Sequence, residues 1–247
     1  LPSGKVTACG VTKTSSGEYY ASFVCEYIPI KTSGTGIVGI DAGITDLFTI
    51  SDGTIIDNPR HFVKSQKKLA RYQRQHARKQ KGSANKNKAR IKVAKLHNHI
   101  SNQRSDYLHK LSTKLVSENQ AIGIESLMVK NMVRNRKLSK HIAGAGWGMF
   151  RDQLKYKATA SGHCRLFLAD PYFPSTQLCS HCGKKPKEKL KLGTRKWTCM
   201  ICSTIHQRDM NAAKNLEILA TSELYRVTTM GIEGLVFKTD RYIPYVD

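Results

Sequence analysis

Residues 38–43, VGIDAG, and residues 122–127, IGIESL, share one pattern. Each is a short apolar, glycine-containing run that ends in an acid, Asp41 in the first and Glu125 in the second. A continuous apolar run of this length reads as a buried strand, the kind found inside an α/β sheet. A carboxylate at the end of such a strand is costly to bury unless it is paired or coordinated. Taken singly, each acid has a plain structural reading: Asp41 before Gly43 as a turn residue, Glu125 as a strand end reaching solvent.

Outward from these strands, the stretch DLFTISDGTIID (46–57) reads as two further strands around a turn at Asp52 and Gly53. From about residue 61 the pattern becomes helical, broken near Gly82 and Ser83, and Val93, Leu96, Ile100, Leu108, Leu111 and Leu115 recur at helical spacing. A polar, glycine-broken loop follows IGIESL to residue 146; a helix then runs from near Trp147 to Gly162, and CRLFLADPYF (164–173) supplies another strand. Strands, helices, strand, helix, strand, helix is the order of an α/β domain. Ahead of it, KVTACGVT (5–12) and YYASFVCEYIPI (19–30) read as a hairpin about KTSSGE. Two strands cannot form a stable sheet alone, so these must pack on something else or belong to a barrel whose remainder is absent.

The 247 residues carry 41 Lys+Arg against 18 Asp+Glu, a formal charge of +23, so polyanions are the expected partners. The helical stretch concentrates the excess: Lys64, Lys67, Lys68, Arg71, Arg74, Arg78, Lys79, Lys81, Lys86, Lys88, Arg90, Lys92 and Lys95 follow one another with no acid between them. A solvated helical face normally mixes both signs, so this run points to nucleic acid. No apolar stretch approaches the roughly 18 residues of a membrane span, so no membrane is expected. The opening LPSGKVTACG lacks an initiator Met and a signal-peptide pattern, the expectation for a processed, trimmed or partial chain.

Seven cysteines divide into two tight pairs and three scattered residues, Cys9, Cys25 and Cys164, which read as core. Cys179, Cys182, Cys199 and Cys202 form C-x2-C, sixteen intervening residues and C-x2-C. Such knuckles clasp one tetrahedral Zn²⁺ with four thiolates and leave no position for substrate, so the zinc is structural and the compartment reducing. Trp197, amid Lys184, Lys185, Lys187, Lys189, Lys191, Arg195 and Lys196, reads equally as a cover for the zinc module or as a base-stacking residue. The literal HNH at His97 to His99 lies inside the basic helix and is read as chance.

CMICSTIHQRDMNAAKN (199–215) joins the second cysteine pair to a helix, with Asp209 just past the junction. Alone, Asp209 is a first-turn acid favoured by the helix dipole. Together the three acids suggest more: two strand ends side by side and a helix laid over the same edge would converge three carboxylates. Such a cluster suits two Mg²⁺ about 4 Å apart, which activate water and stabilise a leaving oxygen in phosphodiester hydrolysis.

GIDAG, IGIESL and HQRDMNAAKN resemble the three motifs of a RuvC-type nuclease, and FPSTQLCSHCG with RKWTCMIC resembles its inserted zinc ribbon. In this order, over about residues 37–220, they resemble the TnpB family of transposon-encoded nucleases, relatives of the type V CRISPR effectors. The resemblance implies an RNase H-like (RuvC) fold, with Asp41, Glu125 and Asp209 as catalytic acids and Mg²⁺ ligands. It implies RNA-guided cleavage of target DNA, with guide RNA as partner, in a prokaryotic cytoplasm and associated with the nucleoid. Arg195 best matches an arginine of the zinc module that assists in some relatives. Ala42, Ser203 and Gln207 depart from the usual residues without removing a ligand.

The expected divisions are a partial barrel over 1–36, a nuclease domain over 37–172 with a basic helical hairpin at 61–118, a zinc ribbon over 173–206, a last nuclease helix over 207–222 and a tail over 223–247. Family members usually precede the first motif with a longer segment that contacts guide and target. A second copy or a complementary N-terminal chain is therefore a further possible partner. Two alternative functions follow from the same residues: a nucleic-acid-binding module that does not cut, and a transposase that joins strands.

Overall fold

The computed structural model describes residues 5–26, 34–191 and 193–239. The chain divides into two compact units, residues 1–30 with 60–108 and residues 31–59 with 109–247.

In the first unit, β1 (Val6–Lys13) and β2 (Tyr19–Cys25) form the antiparallel hairpin, followed by α1 (His61–Ala77) and the first part of α2 (Ala84–Glu118). The break between the helices falls at Gly82, which takes the left-handed conformation (φ +83°) that a residue with a Cβ disfavours. Leu69 of α1 packs with Leu96 and Ile100 of α2, and Phe62, Tyr72 and Val93 border them. The hairpin turn is tied to α2: Asn98 Nδ2 donates to Ser16 Oγ (2.8 Å), and Arg90 Nη1 to the Ser15 carbonyl (3.3 Å). The middle residue of the HNH stretch is thus a structural bond. Residues 27–30, the end of the stretch read as the second strand, lie outside the described residues.

Val11, Tyr19, Phe23 and Val24 are exposed, so the described hairpin is open on both faces. The reading of all three scattered cysteines as core is corrected here. Cys9 is exposed and Cys25 half-buried; of the three scattered cysteines Cys164 alone is buried, where burial pushes its thiol up to about 12.

The second unit is an α/β domain. Its strands are β3 (Gly36–Ala42), β4 (Asp46–Ile50), β5 (Ile55–Asp57), β6 (Asn119–Glu125), β7 (Arg165–Ala169), β8 (Lys196–Thr198), β9 (Ile205–Gln207) and β10 (Val236–Lys238). Its helices, besides the end of α2, are α3 (Val129–Met132), α4 (Ser139–Ala145), α5 (Trp147–Ser161) and α6 (Arg208–Thr229). Six strands form one mixed sheet in the order β10-β7-β6-β3-β4-β5, parallel from β10 to β3 and antiparallel from β3 to β5.

Three details differ from the sequence reading. The loop to residue 146 holds the short helices α3 and α4, which glycines and polar residues had hidden. The last helix runs past 222 to Thr229, and Val227 is buried against Phe167, Ala121 and Ala220. The segment read as a tail supplies β10, which adds to the sheet beside β7 with Phe237 stacked on Phe167 (5.2 Å between ring centres). Three residues are too few for a periodicity to show in sequence.

α6 crosses β3, β6 and β7 at very close range. Gly39 and Gly123 face each other in register on β3 and β6, and a methyl on either would run into the backbone of α6, at Ala213 and Glu217 or at Leu216. Residues two apart on a strand share a face. The face that the glycines open to α6 is therefore the one on which Asp41 and Glu125 stand, each two residues further on.

Candidate active site

Asp41 follows the paired residues Ile40 and Ile124, and Glu125 ends β6 beside it. Asp209 lies in the first turn of α6, the helix seated on the glycines. All three acids, with Arg195 and Arg208, line one open cleft of about 350 Å³.

Asp41 is buried (6 % exposed). Its carboxyl is held well above the ordinary carboxylate range, first by burial and then by the charges of Glu125 and Asp209, with Arg208 opposing. Burial likewise raises Glu125, partly offset by Ser175, whose hydroxyl donates to Glu125 Oε1 at 2.6 Å. Asp209 is gripped on both oxygens: Arg195 Nη1 donates to Oδ2 (2.9 Å), and Arg208 Nε and Nη2 to Oδ1 (3.0 and 2.9 Å). A buried and a half-buried acid with raised proton affinity and a third held by cations make an electrostatically frustrated site, the arrangement expected where carboxylates serve chemistry rather than folding.

The cysteine module adjoins the head of α6. The Sγ atoms of Cys179, Cys182, Cys199 and Cys202 lie within 4.8 Å of one another, the one set of three or more such ligand atoms this close among the described residues. The separations of Cys179 from Cys202 (3.6 Å) and of Cys182 from Cys199 (3.7 Å) approach the edge of about 3.8 Å that a tetrahedron of Zn–S bonds requires. Hydrogen bonding by Thr204 pulls the Cys202 thiol down to about 6, whereas burial pushes that of Cys179 up to about 12, so the fit to zinc rests on the spacing of the sulfurs. The thiols thus fit zinc. The three acids fit a divalent ion by donor chemistry and stand further apart than the thiols.

Trp197 is buried among Cys179 and Cys199 and packs on His206 (4.7 Å between ring centres), so its covering role is the one the geometry displays. Strands β8 and β9 pair Lys196 with Gln207, and the Arg208 N–H donates to the Arg195 carbonyl (2.8 Å). This places the Arg195 side chain over Asp209.

Sequence reasoning missed five supporting residues: Ser175, His206, Arg208, Asn211 and Asn215. His206 Nε2 lies 3.0 Å from Cys179 Sγ. Asn211 donates to the Leu178 carbonyl (2.6 Å) and accepts from the Ser180 N–H (2.9 Å), while Asn215 donates to the carbonyls of Ser175 (2.7 Å) and Leu178 (2.8 Å). The two asparagines therefore fasten the chain entering the cysteine module to α6. A signal existed: amides four apart in NAAKN, on the helix's buried face, must find partners.

Residues 22–136 match the OrfB_IS605 family, described as "Probable transposase", and residues 147–216 match the "Cas12f1-like, TNB domain". A "Putative RNA-guided DNA endonuclease" of Streptomyces pristinaespiralis is 45% identical over 87% of this chain and 54% of its own length. The "Putative RNA-guided DNA endonuclease InsQ" of Escherichia coli K12 is 36% identical over 82% of this chain and 54% of its own length. The chain spans about half the length of these curated relatives. Among solved structures, one described as a CRISPR-Cas12f ternary complex superposes with a TM-score of 0.51 at 17% identity, over 87% of this chain and 46% of that one, a likeness of fold.

The first match begins in β2 and takes in the basic helices with part of the α/β domain, and the second runs from α5 to within α6 together with the four-cysteine module. The chain belongs to the TnpB/IS605 family.

Proposed function

We propose that this chain is an RNA-guided, divalent-metal-dependent DNA endonuclease, or the nuclease portion of one, with an RNase H-like (RuvC) core. The observation that carries this reading is the convergence of Asp41, Glu125 and Asp209, remote in sequence, on one cleft through the Gly39/Gly123 seat of α6. The relatives' names and the fold support it. In this reading residues 37–172 with 207–238 form the nuclease, 173–206 the zinc ribbon, and 1–36 part of a barrel. The basic helical hairpin over 61–118 serves the guide RNA and target DNA.

Asp41, Glu125 and Asp209 would hold two Mg²⁺, and Cys179, Cys182, Cys199 and Cys202 one structural Zn²⁺. When bound, the Mg²⁺ pair supplies an activated water and stabilisation of the leaving oxygen. The protein's own contribution is positional. Ser175 orients Glu125 by committing one of its oxygens to a hydrogen bond. Arg195, largely exposed above the cleft, exchanges its bond to Asp209 for a phosphate oxygen, so that Asp209 is freed as a ligand while the substrate's charge is met. Arg208, less exposed, stays beside Asp209 and tempers the repulsion that it exerts on Asp41.

The test is cleavage of labelled single-stranded and duplex DNA in Mg²⁺, comparing the native chain with Asp209→Ala and Asp41→Ala, each with and without RNA that copurifies. Loss of cutting in both variants with folding retained is expected, and persistent cutting in both would sink the proposal. Tight, salt-sensitive binding without cutting in the native chain would favour a binding module, and joined products a transposase.

A further inference from the structure

A second opening lies beside the acid cleft within the same unit. It has a volume of about 790 Å³ and is lined by Lys130 of α3, Arg151 and Lys155 of α5 and Lys238 of β10. The two openings meet at Leu127, which lines both. On α5 the passage is similarly direct: Trp147 lines the cleft, and Gly148, the next residue, and Arg151, one turn on, line the groove.

Four cations here face one acid, Asp170, and that carboxylate is engaged by the Tyr172 N–H (2.8 Å). Arg151 Nε is buried without a hydrogen-bond partner and pairs with Asp152 at 3.6 Å, an acid that is itself largely exposed. Cations brought into one groove from three separate elements suit an anion with repeated charges rather than one counter-ion. An endonuclease also has to seat the strand on both sides of the bond it cuts. The acid cleft carries Lys191 and Arg195 from the cysteine module, and the groove prolongs it past Leu127.

We infer that this groove holds the phosphodiester backbone of a single nucleic-acid strand running on from the acid cleft, with Lys130, Arg151, Lys155 and Lys238 contacting successive phosphates. The inference rests on the reading of the cleft as a nuclease site and assigns the surface beside it. Lys130 and Lys238 are exposed, so their charges can be removed without opening a core.

The experiment measures binding of labelled dT20 and U20 to the full chain without Mg²⁺ over a series of salt concentrations, for the native chain and for Lys130→Gln/Lys238→Gln. Each lost phosphate contact on a single strand flattens the plot of log K against log salt by about 0.7, so the variant's slope is expected to fall by about 1.4. Between 50 and 200 mM salt this is about a sevenfold smaller loss of affinity than the native chain suffers. Lys114→Gln/Lys214→Gln, the same charge change outside cleft and groove, leaves the slope unchanged, and an unaltered thermal midpoint shows both variants folded. Flattening with dT20 alone assigns a DNA strand, with U20 alone an RNA strand, with both the shared backbone. An unchanged slope with both oligonucleotides, or equal flattening in the control variant, overturns the inference. Because binding is read without cutting, its outcome is independent of whether Asp209→Ala abolishes cleavage, and the two readings fail separately.

Discussion

Asp41 binds its proton more tightly in the folded chain than an ordinary carboxylate does, because it is buried and faces Glu125 and Asp209. The sign of the consequence follows. A group whose folded pKa is raised contributes stability that is complete below the ordinary carboxylate range and is lost as pH rises through its raised range. Without divalent ions the native chain should therefore lose stability as pH climbs from acid towards neutral, and Asp41→Asn should flatten that fall. Thermal melts near neutral pH should show Asp41→Asn melting higher than the native chain, by about 2–4 °C for each kcal/mol of relieved strain. A lower midpoint would mean that the acid is a folding element. The three acids and four cysteines were legible because each sits in a short local pattern. Ser175, His206 and Arg208 were not, because a hydroxyl, an imidazole and a guanidinium gain their meaning from partners remote in the chain or across a turn.

The seat of α6 depends on two residues without side chains. Gly123→Ala drives a methyl into the Leu216 carbonyl, and overpacking of this kind costs about 1–3 kcal/mol or more. Urea unfolding should register that loss, whereas Gly144→Ala, with open space around it, should not. Asn215→Ala removes the amide donor from the Ser175 carbonyl and leaves the Leu178 carbonyl to Asn211 alone, at a cost of about 1–3 kcal/mol. Since Ser175 bonds Glu125, the same variant should also slow Mg²⁺-dependent cutting, which single-turnover kinetics would show. Stripping metal from the cysteines with a chelator selective for zinc should loosen residues 173–206, seen as faster amide exchange there than in the central sheet. The long helices were legible from their apolar spacing. The helices α3 and α4 and the strand β10 were not, for elements of three to seven residues carry too few positions for a period and exist by packing on their neighbours.

Across the whole chain the charge of +23 is distributed so that α1 carries five Lys or Arg and no acid, all five of them exposed. Binding to nucleic acid should be steeply salt-dependent for this reason, and a protein making 6–10 phosphate contacts loses about 10³–10⁵ in affinity between 50 and 200 mM salt. A titration with duplex and single-stranded probes measures that slope directly, and a flat response would remove nucleic acid as the partner of these helices. Among the described residues no helix is long and apolar enough to cross a membrane. Composition, spacing and local motif by themselves determined the basic character, the α/β order, the cysteine module and the three candidate acids, since each is a property of neighbours along the chain. Tertiary structure alone decided that Asp41, Glu125 and Asp209 share a cleft, that Arg195 and Arg208 hold Asp209, and that Trp197 is buried. These depend on strand order, on register and on the closeness of α6 to Gly39 and Gly123, which sequence encodes only through the packing of residues far apart.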